Sequence, residues 1–271
     1  MISRTTLAFC LFVAPLAATA AGLDEPLIAP APTSPAVSTP DLIFTFGAGA
    51  GVEPGYFGAD SYEAVPAFVF GLDYLRLGKS RSIGSTDPDR IPTGLAPRLS
   101  LRVIKERTAA DHPELTGLND IDLSVELGLG LVYRQPSYEL FADARYGVVG
   151  HESWVGEIGG DLVARPADRL KLTVGPRLFL ADGDYAATYF GVTAAESVAS
   201  GLAAFAPAGG ALSAGVEFGA TYALTDNWGL KGAVRYDRLL NDAASSPITG
   251  LGSEHQVSAR LMLTRRFVLD F

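Results

Sequence analysis

The chain has 271 residues, of which 48% are apolar and 19% charged, so it is no solvated, disordered segment. Asp and Glu number 30 against 21 Lys and Arg, a formal net charge of −9, which excludes the basic footprint of a nucleic-acid binder. The one cysteine, Cys10, excludes a disulfide framework, a cysteine nucleophile and thiolate metal ligation together.

Residues 1–20 read as a secretory signal peptide: Arg4 supplies the basic start, Leu7 to Leu16 the apolar stretch, and Ala18-Thr19-Ala20 the small-residue cleavage site. Phe9 before Cys10 argues against acylation of that cysteine. Residues 21–41 carry Pro26, Pro30, Pro32, Pro35 and Pro40, which favour an extended periplasmic tail. No later run of about 18 apolar residues predicts a transmembrane helix.

From residue 42 onward the apolar pattern has period two. Ile121, Leu123, Val125, Leu127, Leu129, Leu131 and Tyr133 alternate with Asp122, Ser124, Glu126, Gly128, Gly130 and Val132. Leu212, Ala214, Val216, Phe218, Ala220, Tyr222 and Leu224 repeat the pattern, as do Leu170, Leu172, Val174, Pro176, Leu178 and Leu180. Such strands exceed the five or six residues usual in soluble sheets and suit the 9–11 tilted residues that cross a bilayer. The expected fold is therefore all-β, a transmembrane antiparallel up-and-down barrel over residues 42–271. Ten strands are predicted at roughly 42–52, 64–77, 94–105, 119–134, 137–149, 153–165, 169–181, 210–225, 227–238 and 254–267. The turns at 135–137, 166–168 and 225–227 are short, and the connections 53–63, 106–118, 182–209 and 239–253 are long, as in outer-membrane barrels. The long 78–93 and the short 150–152 break that alternation and leave eight or twelve strands open.

Parity assigns faces. Leu127 and Val216 go to lipid, and Gly128 and Gly215 to the lumen, where a serine is expected to be tolerated. Arg98, Arg102, Arg145, Lys171, Arg177, Lys231, Arg235 and Arg260 face the lumen with Asp73, Asp122, Glu126, Glu139, Asp143, Glu157, Asp161, Glu217 and Asp237. This near balance favours an interlocked, poorly conducting interior over a single-sign selective pore. Within 182–209, Ala194, Val198, Leu202 and Phe205 fall on one face of a helix predicted over Thr193 to Phe205, a lid or a loop packed on the rim.

Chemistry-bearing motifs are few. Gly47-Ala48-Gly49-Ala50-Gly51 lacks the third glycine of a dinucleotide fingerprint and reads as close packing in a strand. His112, His151 and His255 show no metal-ligand spacing, so no metal or cofactor is expected. His151 and Ser153 share one strand face, as a base and nucleophile of an outer-membrane lipid hydrolase would, but a polar hairpin tip is the plainer reading. In the last strand Phe267, Leu269 and Phe271 lie on one parity with a terminal aromatic, similar to the signal read by barrel-assembly machinery. Arg265 is its one discordant residue.

Several separated segments, in order, resemble MipA/OmpV outer-membrane proteins. These are Pro54-Gly55-Tyr56-Phe57-Gly58, Tyr189-Phe190-Gly191-Val192, Ser200-Gly201-Leu202, and Trp228 followed by Asp242-Ala243 and Ser246-Pro247. Val268-Leu269-Asp270-Phe271 runs past the family's usual aromatic end. The resemblance implies a monomeric, non-enzymatic outer-membrane barrel in contact with lipid and lipopolysaccharide. For one branch it implies a scaffold joining a lytic transglycosylase to a peptidoglycan synthase. A porin-like barrel for small solutes is the rival reading, and a lipid hydrolase the distant third.

Overall fold

The computed structural model describes residues 40–78, 81–86 and 93–271. The expected signal peptide and residues 21–39 of the expected tail lie outside these. The described chain builds one antiparallel sheet from β1 (Leu42–Pro54), β2 (Tyr62–Leu77), β3 (Arg81–Gly84), β4 (Gly94–Ile104), β5 (Ser124–Arg134) and β6 (Tyr138–Val149). It continues with β7 (Trp154–Ala167), β8 (Leu170–Ala181), β9 (Gly210–Ala223), β10 (Trp228–Leu239) and β11 (His255–Leu269).

The strand order is β3-β2-β1-β11-β10-β9-β8-β7-β6-β5-β4. The first and last long strands pair, Leu42 opposite Leu269, and the sheet curls until β4 faces the part of β2 that the short β3 leaves uncovered. An ion pair between Lys105 and Glu63 spans the two.

The ten predicted strands coincide with ten long ones within a few residues, but the expected count of ten is corrected to eleven. The additional strand lies inside the 78–93 connection, where Arg81–Gly84 fold back on Tyr74–Leu77. That explains why the segment is too long for a turn.

Alternation sets the faces as expected in β5. Leu127, Leu129 and Leu131 are 48%, 66% and 54% exposed on the outer surface, whereas Glu126 on the other face is sealed. Phe68, Phe70, Leu95, Leu99, Leu162 and Phe218 extend this apolar outer band. Burying none of that surface in protein is tenable only against lipid, so the barrel spans a membrane. No helix among the described residues is long and apolar enough to cross one.

Three local expectations are overturned, each for its own reason. A shift between Phe179 and Leu180 in the β8–β9 ladder turns Leu212 inward, where it is 1% exposed. Asp122, expected in the lumen, precedes β5 and lies exposed, because that strand starts at Ser124 rather than 119. Gly128 and Gly215 do face inward, but a Cβ at Gly128 would stand 1.9 Å from Ala144 O and one at Gly215 2.1 Å from Tyr236 O. Neither glycine has room for serine.

Prolines fall where the ladder tolerates them. Pro166 sits in the β7 irregularity between Ala164 and Ala167, and Pro176 where β7–β8 pairing skips from Gly159 to Leu162. The short turns after β5, β7 and β9 gather at one end of the barrel with the β3-containing connection, and the short β6–β7 turn lies at the opposite end. The long connections gather at that opposite end with α1 (Gly183–Phe190), α2 (Ala194–Ser200) and α3 (Asn241–Ser245). The predicted helix over Thr193 to Phe205 is shortened to α2, which stops at Gly201 in the left-handed conformation, φ 79°. Val198, assigned to its apolar face, is 88% exposed.

Candidate functional site

The loop end is closed by a cap. Asp182 starts α1, accepting from Tyr185 N–H at 2.9 Å and from Trp154 N–H at 2.7 Å, which ties the helix to β7. Its buried residues, Tyr185, Ala186, Tyr189 and Phe190, recur on one helical face and pack on Phe179, Leu212, Leu239 and Ala243. Phe57 lies edge-on to Tyr189 at 5.1 Å. A second apolar cluster joins Tyr56, Ala59, Leu115, Leu118, Val192 and Ile248 from four connections.

Polar contacts bind these loops into one unit. Thr193 and Glu196 form a reciprocal capping box on α2, and Glu196 also accepts from Asn119 N–H at 2.8 Å. Arg107 donates to Tyr189 O at 3.0 Å and Ser246 Oγ to Phe190 O at 2.6 Å. Gln256 accepts from Gly58 N–H at 3.2 Å and donates to Ala59 O at 3.1 Å. Gly58 has φ +99°, and a Cβ there would press on Thr249 Cα at 2.8 Å, so this crossing demands glycine.

The cap is dry enough to perturb its ionisable groups. Burial, helped by the nearby Glu114, pushes the Tyr56 hydroxyl up to about 12. Burial also raises Tyr185 and Tyr189. It opposes charge on Glu196 too, but hydrogen bonds from Asn119 and Thr193 outweigh it and hold that carboxyl below its ordinary value.

Every segment quoted for the family resemblance except Trp228 meets in this cap. Pro54 ends β1, and Gly55, Tyr56 and Gly58 come from the β1–β2 connection. Tyr189, Phe190, Gly191, Val192, Ser200 and Gly201 come from the β8–β9 connection. Asp242, Ser246 and Pro247 come from the β10–β11 connection. Asp242 accepts from Ala208 N–H at 2.7 Å, and Val192 pairs with Phe205 in an isolated bridge. Trp228 stands at the turn end under Arg265, whose guanidinium lies 5.2 Å from its ring and 5.1 Å from that of Phe267. These cation–π contacts account for the discordant arginine. Phe267 stacks on Phe44 at 5.0 Å, Leu269 pairs with Leu42, and Phe271 N–H donates to Asp41 at 2.8 Å.

Below the cap the lumen is crossed by ion pairs. Arg145 contacts Glu126 at 2.7 Å and Glu157 at 3.4 Å, and Arg235 contacts Glu157 at 2.5 Å and Asp237 at 2.6 Å. Arg177 bridges Asp161 at 2.9 Å and Glu217 at 3.2 Å, and Arg260 reaches Glu217 at 2.7 Å. Arg98 pairs with Asp143, Arg102 with Glu126 and Lys171 with Glu139. Asp73 instead accepts from Thr45 Oγ1 at 2.6 Å.

His151 and Ser153 are brought together, with Nδ1 to Oγ at 2.6 Å, and His151 Nε2 lies 3.4 Å from Glu126 Oε1. They are not the polar hairpin tip expected. Tyr185 covers them, with its ring 5.0 Å from His151, and Ser153 is 1% exposed. The order nucleophile–base–carboxylate is that of a hydrolytic relay; here the hydroxyl is sealed beneath Tyr185, and Glu126 is shared among His151, Arg145 and Arg102. His112 sits between Glu63 and Glu114, and His255 contacts Tyr236. No cluster of metal-ligating side chains is present among the described residues.

Sequence reasoning missed α1 and the packing of the cap. The Asp182 to Tyr185 spacing of an N-cap was the signal available.

Residues 46–267 match the family model described as MltA-interacting protein MipA. Comparison with curated proteins finds no match. Among solved structures, an outer membrane channel from Pseudomonas putida F1 gives a TM-score of 0.43 at 9% identity, covering 87% of this chain and 100% of that one. The translocator domain of the autotransporter NalP from Neisseria meningitidis gives 0.39 at 14% identity, covering 86% and 90%. The outer membrane channel DcaP of Acinetobacter baumannii gives 0.35 at 9% identity, covering 83% and 96%.

Proposed function

The chain belongs to the MltA-interacting protein MipA family, and from that premise we propose that it is a non-enzymatic outer-membrane barrel with a scaffolding role in the cell envelope. Its short turns after β5, β7 and β9 face the periplasm and its helical cap faces outward, following the usual asymmetry of such barrels. The partners on this reading are outer-membrane lipid and lipopolysaccharide, the barrel-assembly machinery that inserts it, and a lytic transglycosylase with a peptidoglycan synthase at the periplasmic end. The observation that carries the non-conducting part of the reading is the lumen, where Arg145, Arg177 and Arg235 each bridge at least two acids beneath a packed lid. Such a lattice opens only at the expense of leaving buried charges unpaired.

A second reading, passage of small solutes, is favoured by a cavity of about 1360 Å³ that reaches into the lumen. Single-channel recording in planar bilayers separates the two. Silence supports the plugged scaffold, and a steady open level refutes it. In-cell crosslinking from the 135–137 and 224–227 turns tests the partners: capture of a peptidoglycan-remodelling enzyme is expected, and its absence at both turns counts against scaffolding.

A further inference from the structure

Among the described residues, one pair of neighbouring strands in the barrel wall has no ladder at all. Ladders join every other neighbouring pair of strands, but among the described residues none joins β2 to β4. Gly55 N–H donates to Ser61 C=O, and alternation from that pair turns the nitrogen of Pro66 away from β1. Gln135 N–H donates to Tyr138 C=O, so Leu131 bonds to β6 and its partner Pro97 turns its nitrogen away from β5. Both nitrogens face the seam, and neither carries a hydrogen. A ladder closed here would lack two donors.

The cavity opens through this seam. Its walls include lumenal Arg98, Asp143 and Lys231 together with outward Phe68, Phe70 and Leu101. Gly71, on β2, has no atom within 4 Å of where a Cβ would stand. Inside, Lys231 is the one base of the lumenal wall without an ion pair among the described residues, and the charges around it are Arg260, Lys171 and Arg98 against Glu217. The opening therefore offers apolar walls outside and an uncompensated ammonium within. Unpaired backbone edges are costly in hydrocarbon, and a polar head group drawn into the seam offsets that cost.

We propose that the lumen takes a long-chain fatty carboxylate from the bilayer through the β2–β4 seam, its head group on Lys231 and its chain trailing between Phe68 and Leu101. A single negative charge matches the single unpaired ammonium. A phosphomonoester would need a second free cation, and the neighbouring bases are committed to acids. This goes beyond the scaffold reading and stands whether or not a protein partner exists.

The test uses the folded full chain in lipid vesicles, a fatty acid with a mid-chain diazirine, irradiation, and mapping of labelled peptides. Labelling should concentrate in residues 66–72 and 97–103 and be competed by laurate. Lys231→Met and Lys231→Gln should each weaken it about tenfold, the loss of one charge-assisted contact, whereas Lys231→Arg retains it. Pro66→Ala with Pro97→Ala restores both donors and should slow labelling without lowering its plateau. Heat-modifiable migration identifies the folded variants. Uncompeted labelling spread over all outward strands overturns the proposal, as does unchanged labelling in both neutral Lys231 variants. Competition by lysophosphatidate but not laurate overturns the carboxylate assignment, and an unchanged rate in the proline pair overturns lateral entry.

Discussion

The assignment of faces in β5 gives the sharpest quantitative test. Leu129 is 66% exposed, flanked along the strand by Leu127 and Leu131 and paired with Leu99, itself 58% exposed. An arginine there faces lipid near the midplane and should cost about 2–4 kcal/mol, a factor of roughly 30 to 700 in the folding equilibrium. One residue away on the inner face, Gly128→Ala would place its Cβ 1.9 Å from Ala144 O and 2.6 Å from Arg145 Cα. Both contacts are backbone, so the β5–β6 ladder must spread, at roughly 1–3 kcal/mol for such overpacking. Gly71→Ser, on β2, meets open space and should cost less than about 0.5 kcal/mol. Urea unfolding in lipid vesicles, followed through Trp154 and Trp228, measures all three. If Leu129→Arg lay within about 0.5 kcal/mol of the parent, or Gly71→Ser were more damaging than Gly128→Ala, the outward band and the inner packing derived for β5 would be wrong.

The buried pair predicts a second cost. Glu126 and Arg145 have side chains 0% and 3% exposed, so Arg145→Met should destabilise by about 3–5 kcal/mol, and adding Glu126→Gln should recover part of the loss; strict additivity in the same urea assay would show that the two are independent. Deleting Val268 to Phe271 removes the pairing of Leu269 with Leu42 and of Val268 with Ile43 and the contact of Phe271 with Asp41; the heat-modifiable band should fall sharply, and normal yield would refute a role for this end in assembly. The Glu196 carboxyl, held below its ordinary value, contributes stability that is present above the unfolded carboxylate pKa of about 4.3 and is lost as pH falls through the lower folded value. Hydrogen exchange over 193–201 should therefore speed up in acid before the strands open, and protection unchanged down to about pH 2 would exclude this device.

What alternation reveals is a face, not a fit. The period-two pattern in Ile121 to Tyr133 set the outward row of β5 because lipid selects apolar side chains there irrespective of their partners. It could not reveal that Gly128 and Gly215 lie against the backbone of the adjacent strands. That depends on how closely two strands approach, and the neighbour's register decides it. For the same reason Leu212 looked outward: its strand is regular in sequence, and the shift that inverts it belongs to the pairing with Phe179 and Leu180. The cap was legible only as separate short segments. Tyr56, Tyr189 and Ser246 are far apart in the chain, and the chemistry joining them consists of contacts between loops, for which no periodicity exists.

The seam shows where that limit matters most. A proline in a strand carries meaning only once the direction of its missing N–H is known, because half the positions of any strand point to each neighbour. Pro166 and Pro176 are absorbed by irregularities between β7 and β8, and the barrel wall stays continuous there. Pro66 and Pro97 have no such relief. They stand on the two strands that must meet to close the cylinder, and each withholds a donor from the same interface. Four residues of β3 cover only Tyr74–Leu77 of the β2 edge, leaving the stretch around Pro66 without a ladder. The strand that makes the count eleven is thus a partial cover for the edge that the prolines keep open. Strand number and wall continuity are one structural question at this edge, decided by where the hydrogen-bond donors point.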